Sequence, residues 1–93
     1  MTSLIDTDRI HPVNFVAYTR AICNLVGLTH FTSDTEMNGI VLEFSGPTAR
    51  EATELAMQQA KRIYGLGYRV SVGAATQGPG TYWDSVVYVD YRR

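Results

Sequence analysis

The sequence predicts an α+β fold: a single two-layer domain in which two helices cover one face of a four-stranded, mainly antiparallel sheet. Two stretches repeat their apolar residues with a helical period, and each ends at a glycine followed by leucine. After each of them comes a segment of strand, turn and strand. The predicted order is therefore helix, hairpin, helix, hairpin (αββαββ). At 93 residues the chain fits one domain, 1–93, with 1–11 as a lead-in segment.

The composition is that of a folded protein without a signal for export or membrane insertion. Hydrophobic residues make up 45% and charged residues 18% of the chain. No apolar run approaches the roughly 20 residues that span a bilayer, and residues 1–8 are too polar and acidic for a secretion signal. The single cysteine excludes an internal disulfide. We therefore expect a cytoplasmic protein that does not contact a membrane.

The first helix is predicted from about Pro12 to Val26. Proline suits the first turn of a helix, because its missing N–H needs no partner there. Gly27 supplies a left-handed residue at the end of the helix. One face is lined by Phe15, Thr19, Ile22 and Val26. Arg20 is the only charged residue, so this helix is either largely buried or packed against a partner, for example a second copy of the chain.

The first hairpin is predicted from Asn38-Gly39, the favoured pair for a tight type I′ turn. With that turn, Met37 opposes Ile40, Thr35 opposes Leu42, and Ser33 opposes Phe44. The face turned away from the helices then carries His30, Thr32, Asp34, Glu36, Val41 and Glu43.

The same register places Asp34 opposite Glu43, and like charges in that position destabilise a sheet. Three explanations stay open. The register is wrong, Arg69 or Arg92 neutralises the pair, or the acid serves a basic partner.

The second helix carries the clearest boundary signals. Thr48 and Glu51 form a capping box at its start, and Gly65 follows its last turn. Acidic residues early and basic residues late suit the helix dipole. The stripe that faces the sheet consists of Ala52, Leu55, Ala56, Gln59 and Ile63.

The second hairpin consists of a strand over 68–76, a turn over 77–80 and a terminal strand over 81–93. Side chains alternate along a strand, so the terminal strand has two different faces. Trp83, Ser85, Val87, Val89 and Tyr91 form a plausible core face. The other face carries Tyr82, Asp84, Val86, Tyr88, Asp90 and Arg92, an acidic aromatic surface that suits a core poorly.

No pattern in the sequence points to catalysis. Cys23 lies among apolar helix residues and is expected to be a small buried hydrophobe. The two histidines do not combine with other ligands into a metal site. No serine lies in a nucleophile elbow, and the glycine pairs end a helix or form a turn instead of cradling a phosphate. We expect no catalytic residue, no metal ion and no cofactor.

The acidic aromatic surface predicts a non-catalytic protein-binding module. Tyrosine is enriched at protein interfaces because it offers a large area at low entropic cost. Acid among the tyrosines suits a larger protein with a basic surface, such as a nucleic-acid groove, and disfavours direct nucleic-acid binding, as does the net charge of −1. The predicted partner-binding residues are Tyr82, Asp84, Tyr88, Asp90, Asp34, Glu36, Glu43 and His30.

No segment carries a motif that is specific to a known family. In size and lack of catalytic residues the chain is similar to small inhibitors made by phages and mobile elements, among them the anti-CRISPR proteins that block host defence complexes. Two alternatives stay open. One is an oligomeric protein that binds a small ligand or nucleotide, and the other is a small enzyme whose site is built at an oligomer interface.

Overall fold

The computed structural model describes residues 11–33 and 38–92, which form two helices and five strands. The predicted α+β class and the antiparallel sheet are confirmed, although the predicted order αββαββ with four strands is wrong: the observed order is αββαβββ. The elements are α1 (Pro12–Val26), β1 (Thr32–Ser33), β2 (Gly39–Gly46), α2 (Ala49–Tyr64), β3 (Arg69–Val72), β4 (Thr76–Gln77) and β5 (Trp83–Asp90).

Helix α1 begins and ends where the sequence predicts. The ring nitrogen Nδ1 of His11 accepts a hydrogen bond from the backbone N–H of Val13 at 3.2 Å, which satisfies one of the free donors of the first turn. At the other end Gly27 has a φ of 73°. The N–H groups of Gly27 and Leu28 both donate to the carbonyl oxygen of Cys23, at 2.9 and 3.1 Å. The predicted left-handed glycine cap is therefore present.

Helix α2 covers the centre of the sheet with small side chains. The hydroxyl of Thr48 accepts a hydrogen bond from the N–H of Glu51 at 3.1 Å, as the capping box predicts. The buried residues on the face toward the sheet are Ala52, Ala56, Ala60 and Ile63. Three alanines in this row allow the helix backbone to approach the strands closely.

The last strand of the chain lies inside the sheet. The strand order is β1-β2-β5-β3, and β4 also pairs with β5. Strand β5 pairs with β2 from Gly39–Asp90 to Gly46–Trp83, and on its other side with β3, always antiparallel. The predicted pairing of the terminal strand with the preceding one is present. The long pairing with β2 was not predicted.

The predicted register of the first hairpin is wrong. Ser33 lies opposite Ile40 instead of Phe44, a shift of four residues along β2. Because side chains alternate with a period of two, this even shift keeps the residues of β1 and β2 on their predicted faces. The predicted partners Thr35 and Met37 lie outside the described residues.

The reason for the error is the role of Gly39. A type I′ turn needs a positive φ at both central residues, and Gly39 is not among the glycines with positive φ. It is instead the first residue of β2 and lies opposite Asp90. A β-carbon at this position would overlap the backbone carbonyl oxygen of Val89. Glycine is needed there for close approach to β5, and not for a turn.

The predicted continuous strand over 68–76 is also wrong, because a β-bulge divides it. Val72 lies opposite Val87 and Thr76 opposite Asp84, so three residues (73–75) face two (85–86). The bulge is held by hydrogen bonds from the Gly73 N–H to the Val86 carbonyl at 2.8 Å and from the Ser85 hydroxyl to the Gly73 carbonyl at 3.0 Å. The buried Ser85 hydroxyl thereby obtains a partner.

The core lies between the helices and one face of the sheet. Tyr91, which directly follows β5, packs at its centre against Phe15, Tyr18 and Tyr68, with ring centroids 5.4–5.5 Å apart. The hydroxyls of Tyr91 and Thr19 are hydrogen-bonded at 2.7 Å. These contacts join α1 to the end of the sheet. Neither helix in the described ranges is long and apolar enough to cross a membrane.

Candidate functional site

The outer face is the side of the sheet turned away from the helices. Residues that pair directly across antiparallel strands share a face, so the pairing partners define its members. They are Thr32, Val41, Glu43, Ser45, Arg69, Ser71, Thr76, Asp84, Val86, Tyr88 and Asp90. All eleven are exposed or half-buried, because the helices pack on the opposite side.

Strand β5 alternates as the sequence predicts. Ser85, Val87 and Val89 are buried on the core side, whereas Tyr88 is 49% exposed on the outer face. Tyr82, which directly precedes β5, is 40% exposed. In the folded protein, β5 therefore has one face in the core and one exposed face that carries tyrosine.

Each of these two tyrosines lies against a glycine. A β-carbon on Gly73 would come within 3.3 Å of the Tyr88 ring, and one on Gly78 within 2.8 Å of the Tyr82 ring. The rings thus occupy the space that side chains would otherwise fill, in the manner of aromatic residues that cover glycines in designed sheets. Contact with a glycine restrains each ring in the folded protein. An ordered aromatic side chain loses less conformational entropy on binding.

The acidic character of the outer face is concentrated around Asp84 and Glu43. Asp84 accepts a hydrogen bond from the hydroxyl of Ser45 at 2.5 Å. Glu43 is exposed and pairs with Val86, two residues along β5 from Asp84. The two carboxylates are therefore diagonal neighbours on adjacent strands, and together they form an anionic region beside Tyr88.

Asp90 does not add to that anionic region, because Arg92 neutralises it. The guanidinium of Arg92 contacts both carboxylate oxygens, at 3.0 and 3.1 Å, and its backbone N–H donates at 2.9 Å. These hydrogen bonds lower the pKa of Asp90, and the charge of Arg69 contributes in the same direction. An open depression of about 350 Å³ is lined by Tyr88, Asp90, Arg69 and Arg92 among others. This end of the outer face carries mixed charge.

Three further residues were predicted to bind a partner: Asp34, Glu36 and His30. Asp34 and Glu36 lie outside the described residues, and with them the predicted pairing of Asp34 with Glu43. His30 precedes β1 and is exposed, with its ring nitrogen Nδ1 3.0 Å from the hydroxyl of Thr29. It lines an open depression together with Glu43. The structure thus brings together Tyr82, Asp84, Tyr88, Asp90 and Glu43 on one continuous face, with His30 beside it.

Sequence reasoning missed three features of this surface. Ser45 orients Asp84, and Gly73 and Gly78 support the two tyrosines. Each depends on the pairing of β5 with β2 or on the bulge. The two glycines were visible in the sequence, but their opposition to tyrosines required the correct register.

The described residues contain no group of three or more His, Cys, Asp or Glu side chains that could hold a metal ion. Burial raises the pKa of the Cys23 thiol, which lowers the fraction of reactive thiolate. The chain matches no protein-family model, and no curated protein or solved structure is significantly similar to it. The surface itself is therefore the basis for a functional proposal.

Proposed function

We propose that this protein is a non-catalytic binding module whose outer face covers a basic surface of a larger protein. The observation that carries the proposal is the pair of exposed tyrosines, each held against a glycine, beside the anionic region of Asp84 and Glu43. Restrained aromatic rings supply contact area at low entropic cost, and the neighbouring carboxylates supply charge complementarity toward lysine and arginine.

The proposed partner is a protein with a basic groove, such as one that binds nucleic acid. By covering that groove the protein would act as an inhibitor, which is how small phage or mobile-element inhibitors of host defence complexes, including anti-CRISPRs, would use such a face. Direct binding of nucleic acid is disfavoured, because Asp84 and Glu43 would repel the phosphates on which such binding depends.

The test compares the wild type with an outer-face variant that combines Tyr82→Ala, Tyr88→Ala and Asp84→Lys. Proteins captured by the wild type are identified, and the affinity of each purified partner is measured by calorimetry at two salt concentrations. We expect the variant to lose at least 100-fold in affinity, and the wild-type affinity to fall as salt rises.

The control combines Leu66→Ala with Glu54→Lys. Leu66 is 45% exposed just after α2 and Glu54 lies on α2, so the control removes an exposed apolar side chain and makes the same charge change as Asp84→Lys, with neither residue on the outer-face strands. Circular dichroism confirms that both variants fold. If a folded outer-face variant binds the same partners as tightly as the control does, the outer face is not the interface.

A second candidate function is self-association through α1. Val13 and Val16 are 67% and 54% exposed on this helix, and Val16 lines an apolar groove of about 290 Å³ with Phe31 and Cys23. Such a dimer interface is the basis on which a small-ligand or nucleotide site, or a catalytic site, could form between copies. Light scattering tests it: Val16→Glu should convert a dimer to a monomer, and a wild type that is monomeric at millimolar concentration removes this candidate.

A further inference from the structure

Among the described residues, strand β3 pairs only with β5, so its other backbone edge has no partner strand there. The N–H of Gly73 donates to the carbonyl oxygen of Val86, its opposite in the β3–β5 register, so at this position the backbone is directed toward β5. Backbone groups alternate in direction along an antiparallel ladder. Val70 and Val72 therefore direct their N–H and C=O groups outward, where a further strand could pair.

An apolar groove of about 220 Å³ runs beside this edge, between α2 and β3. Met57 and Tyr64 form its helix side, and they are 49% and 69% exposed. Val70 and Val72 form its sheet side. The same two valines thus offer their backbone to an added strand and their side chains to the groove. Since side chains of a strand alternate, every second residue of an added strand would enter the groove.

Positive charge flanks the edge on both sides of the sheet. Lys61 lines the groove. On the opposite face, Arg69 is exposed and lies across from Asp90, whose carboxylate is occupied by Arg92. In the part of the chain that the structure describes, neither Lys61 nor Arg69 forms an ion pair with a carboxylate. The positive charge beside the edge is therefore complementary to a strand that carries acidic side chains.

We propose that the β3 edge binds an extended segment of a partner protein in which apolar and acidic residues alternate. The backbone of the segment pairs with Val70 and Val72, and its apolar side chains enter the groove between Met57 and Tyr64. Its acidic side chains lie on the opposite face, beside Arg69 and Ser71, as cross-strand pairing of opposite charges requires. A second copy of this chain suits the edge less well, because it would bring its own Arg69 to that face.

The probe is a fluorescein-labelled octapeptide that alternates valine and glutamate. We expect anisotropy to report saturable binding, and amide shifts in NMR spectra to change over 57–64 and 69–73. The decisive measurement is hydrogen exchange. The outward amides of Val70 and Val72 should exchange rapidly in the free protein and at least tenfold more slowly with saturating peptide, because they acquire hydrogen-bond partners.

Two variants distinguish a contact inside the groove from a general effect of added negative charge on peptide binding. Met57→Glu places an anion in the groove and should weaken binding at least tenfold. Gln58→Glu adds the same charge at the adjacent exposed position, outside the groove, and should change the affinity less than twofold. An octapeptide that alternates valine and lysine should not bind.

Four outcomes would overturn the proposal. They are equal binding of the lysine peptide, the absence of binding at 1 mM, shift changes centred on Tyr82 and Tyr88, and concentration-dependent protection of Val70 and Val72 without peptide. The last outcome would assign the edge to a second copy. The edge is tested at Val70, Val72 and Met57, whereas the proposed function is tested at Tyr82, Asp84 and Tyr88, so either proposal can fail without the other.

Discussion

Tyr91 carries a titratable hydroxyl inside the core, at the junction between α1 and the sheet. Burial raises its pKa to about 12, against the opposing effect of the hydrogen bond with Thr19. The neighbouring Tyr68 and Cys23 raise it further. The native protein therefore holds this proton more tightly than the unfolded chain, in which a tyrosine has a pKa of about 10.

We expect the free energy of unfolding to decline as the pH rises from about 10 toward 12. The contribution of Tyr91 is complete below pH 10, and its loss over this interval amounts to about 2–3 kcal/mol. Urea unfolding between pH 8 and 11.5 measures it. Tyr91→Phe should be less stable at pH 8, because it lacks the hydrogen bond with Thr19, but it should lose less stability over the same range. Equal losses in both proteins would contradict this assignment.

Gly39 is a second residue at which one added atom is expected to change the free energy of unfolding. Gly39→Ala would place a β-carbon against the backbone of Val89, and backbone cannot move aside as a flexible side chain can. We expect a loss of about 3 kcal/mol in unfolding free energy. Gly27→Ala is the control: its φ is 73°, but no atom lies within 4 Å of the new carbon, so it should cost only about 1 kcal/mol. Similar losses at both positions would show that the contact with Val89 is relieved.

At the scale of single elements, local signals predicted the helices well and the hairpins poorly. The limits of α1 and the Thr48 cap depend on neighbours within four residues, so the sequence alone predicts them. The register of β1 on β2 and the bulge at 73–75 depend on β5, which is distant in the chain. The pair Asn38-Gly39 has a local preference for a tight turn. In the folded protein Gly39 instead pairs with Asp90 of β5, where there is no room for a β-carbon.

The cap of α2 gives a prediction at this scale. Thr48→Ala removes the acceptor for the Glu51 N–H and should lower the free energy of unfolding by about 1 kcal/mol. Thr48→Ser keeps a hydroxyl in the same place and should stay within a few tenths of a kcal/mol of the wild type. Chemical denaturation of the wild type and the two variants measures these differences in the free energy of unfolding. A serine variant as unstable as the alanine variant would mean that the methyl group of Thr48, and not its hydroxyl, stabilises the helix.

At the candidate site, too, local sequence patterns predicted more than the contacts between distant parts of the chain. The alternation of β5 was enough to predict that Tyr82, Asp84, Tyr88 and Asp90 share a face turned away from the core. It could not predict that Arg92 neutralises Asp90 or that glycines support the tyrosines, because these contacts depend on turns and register. Among the described residues, the net negative charge of the predicted acidic face therefore lies near Asp84 and Glu43.

For the whole molecule, β5 is the element on which the sheet depends, since β2 and β3 pair with it and not with each other. A chain that ends at Tyr82 should therefore lack the dispersed NMR spectrum of a folded protein. Adding a synthetic peptide of residues 83–92 should restore part of that spectrum. A truncated chain with a well-dispersed spectrum of its own would show that α2 alone can hold β2 and β3 in place.

The central position of β5 also affects how the protein can fold while it is being synthesised. As the chain leaves the ribosome, β1, β2, α2, β3 and β4 all emerge before the strand that joins them. Until then β2 and β3 each carry an unpaired edge, and the apolar residues under α2 have no complete sheet to cover. We therefore expect slow translation of the codons before β5 to prolong the exposure of these edges and apolar residues, and so to increase aggregation of the nascent protein.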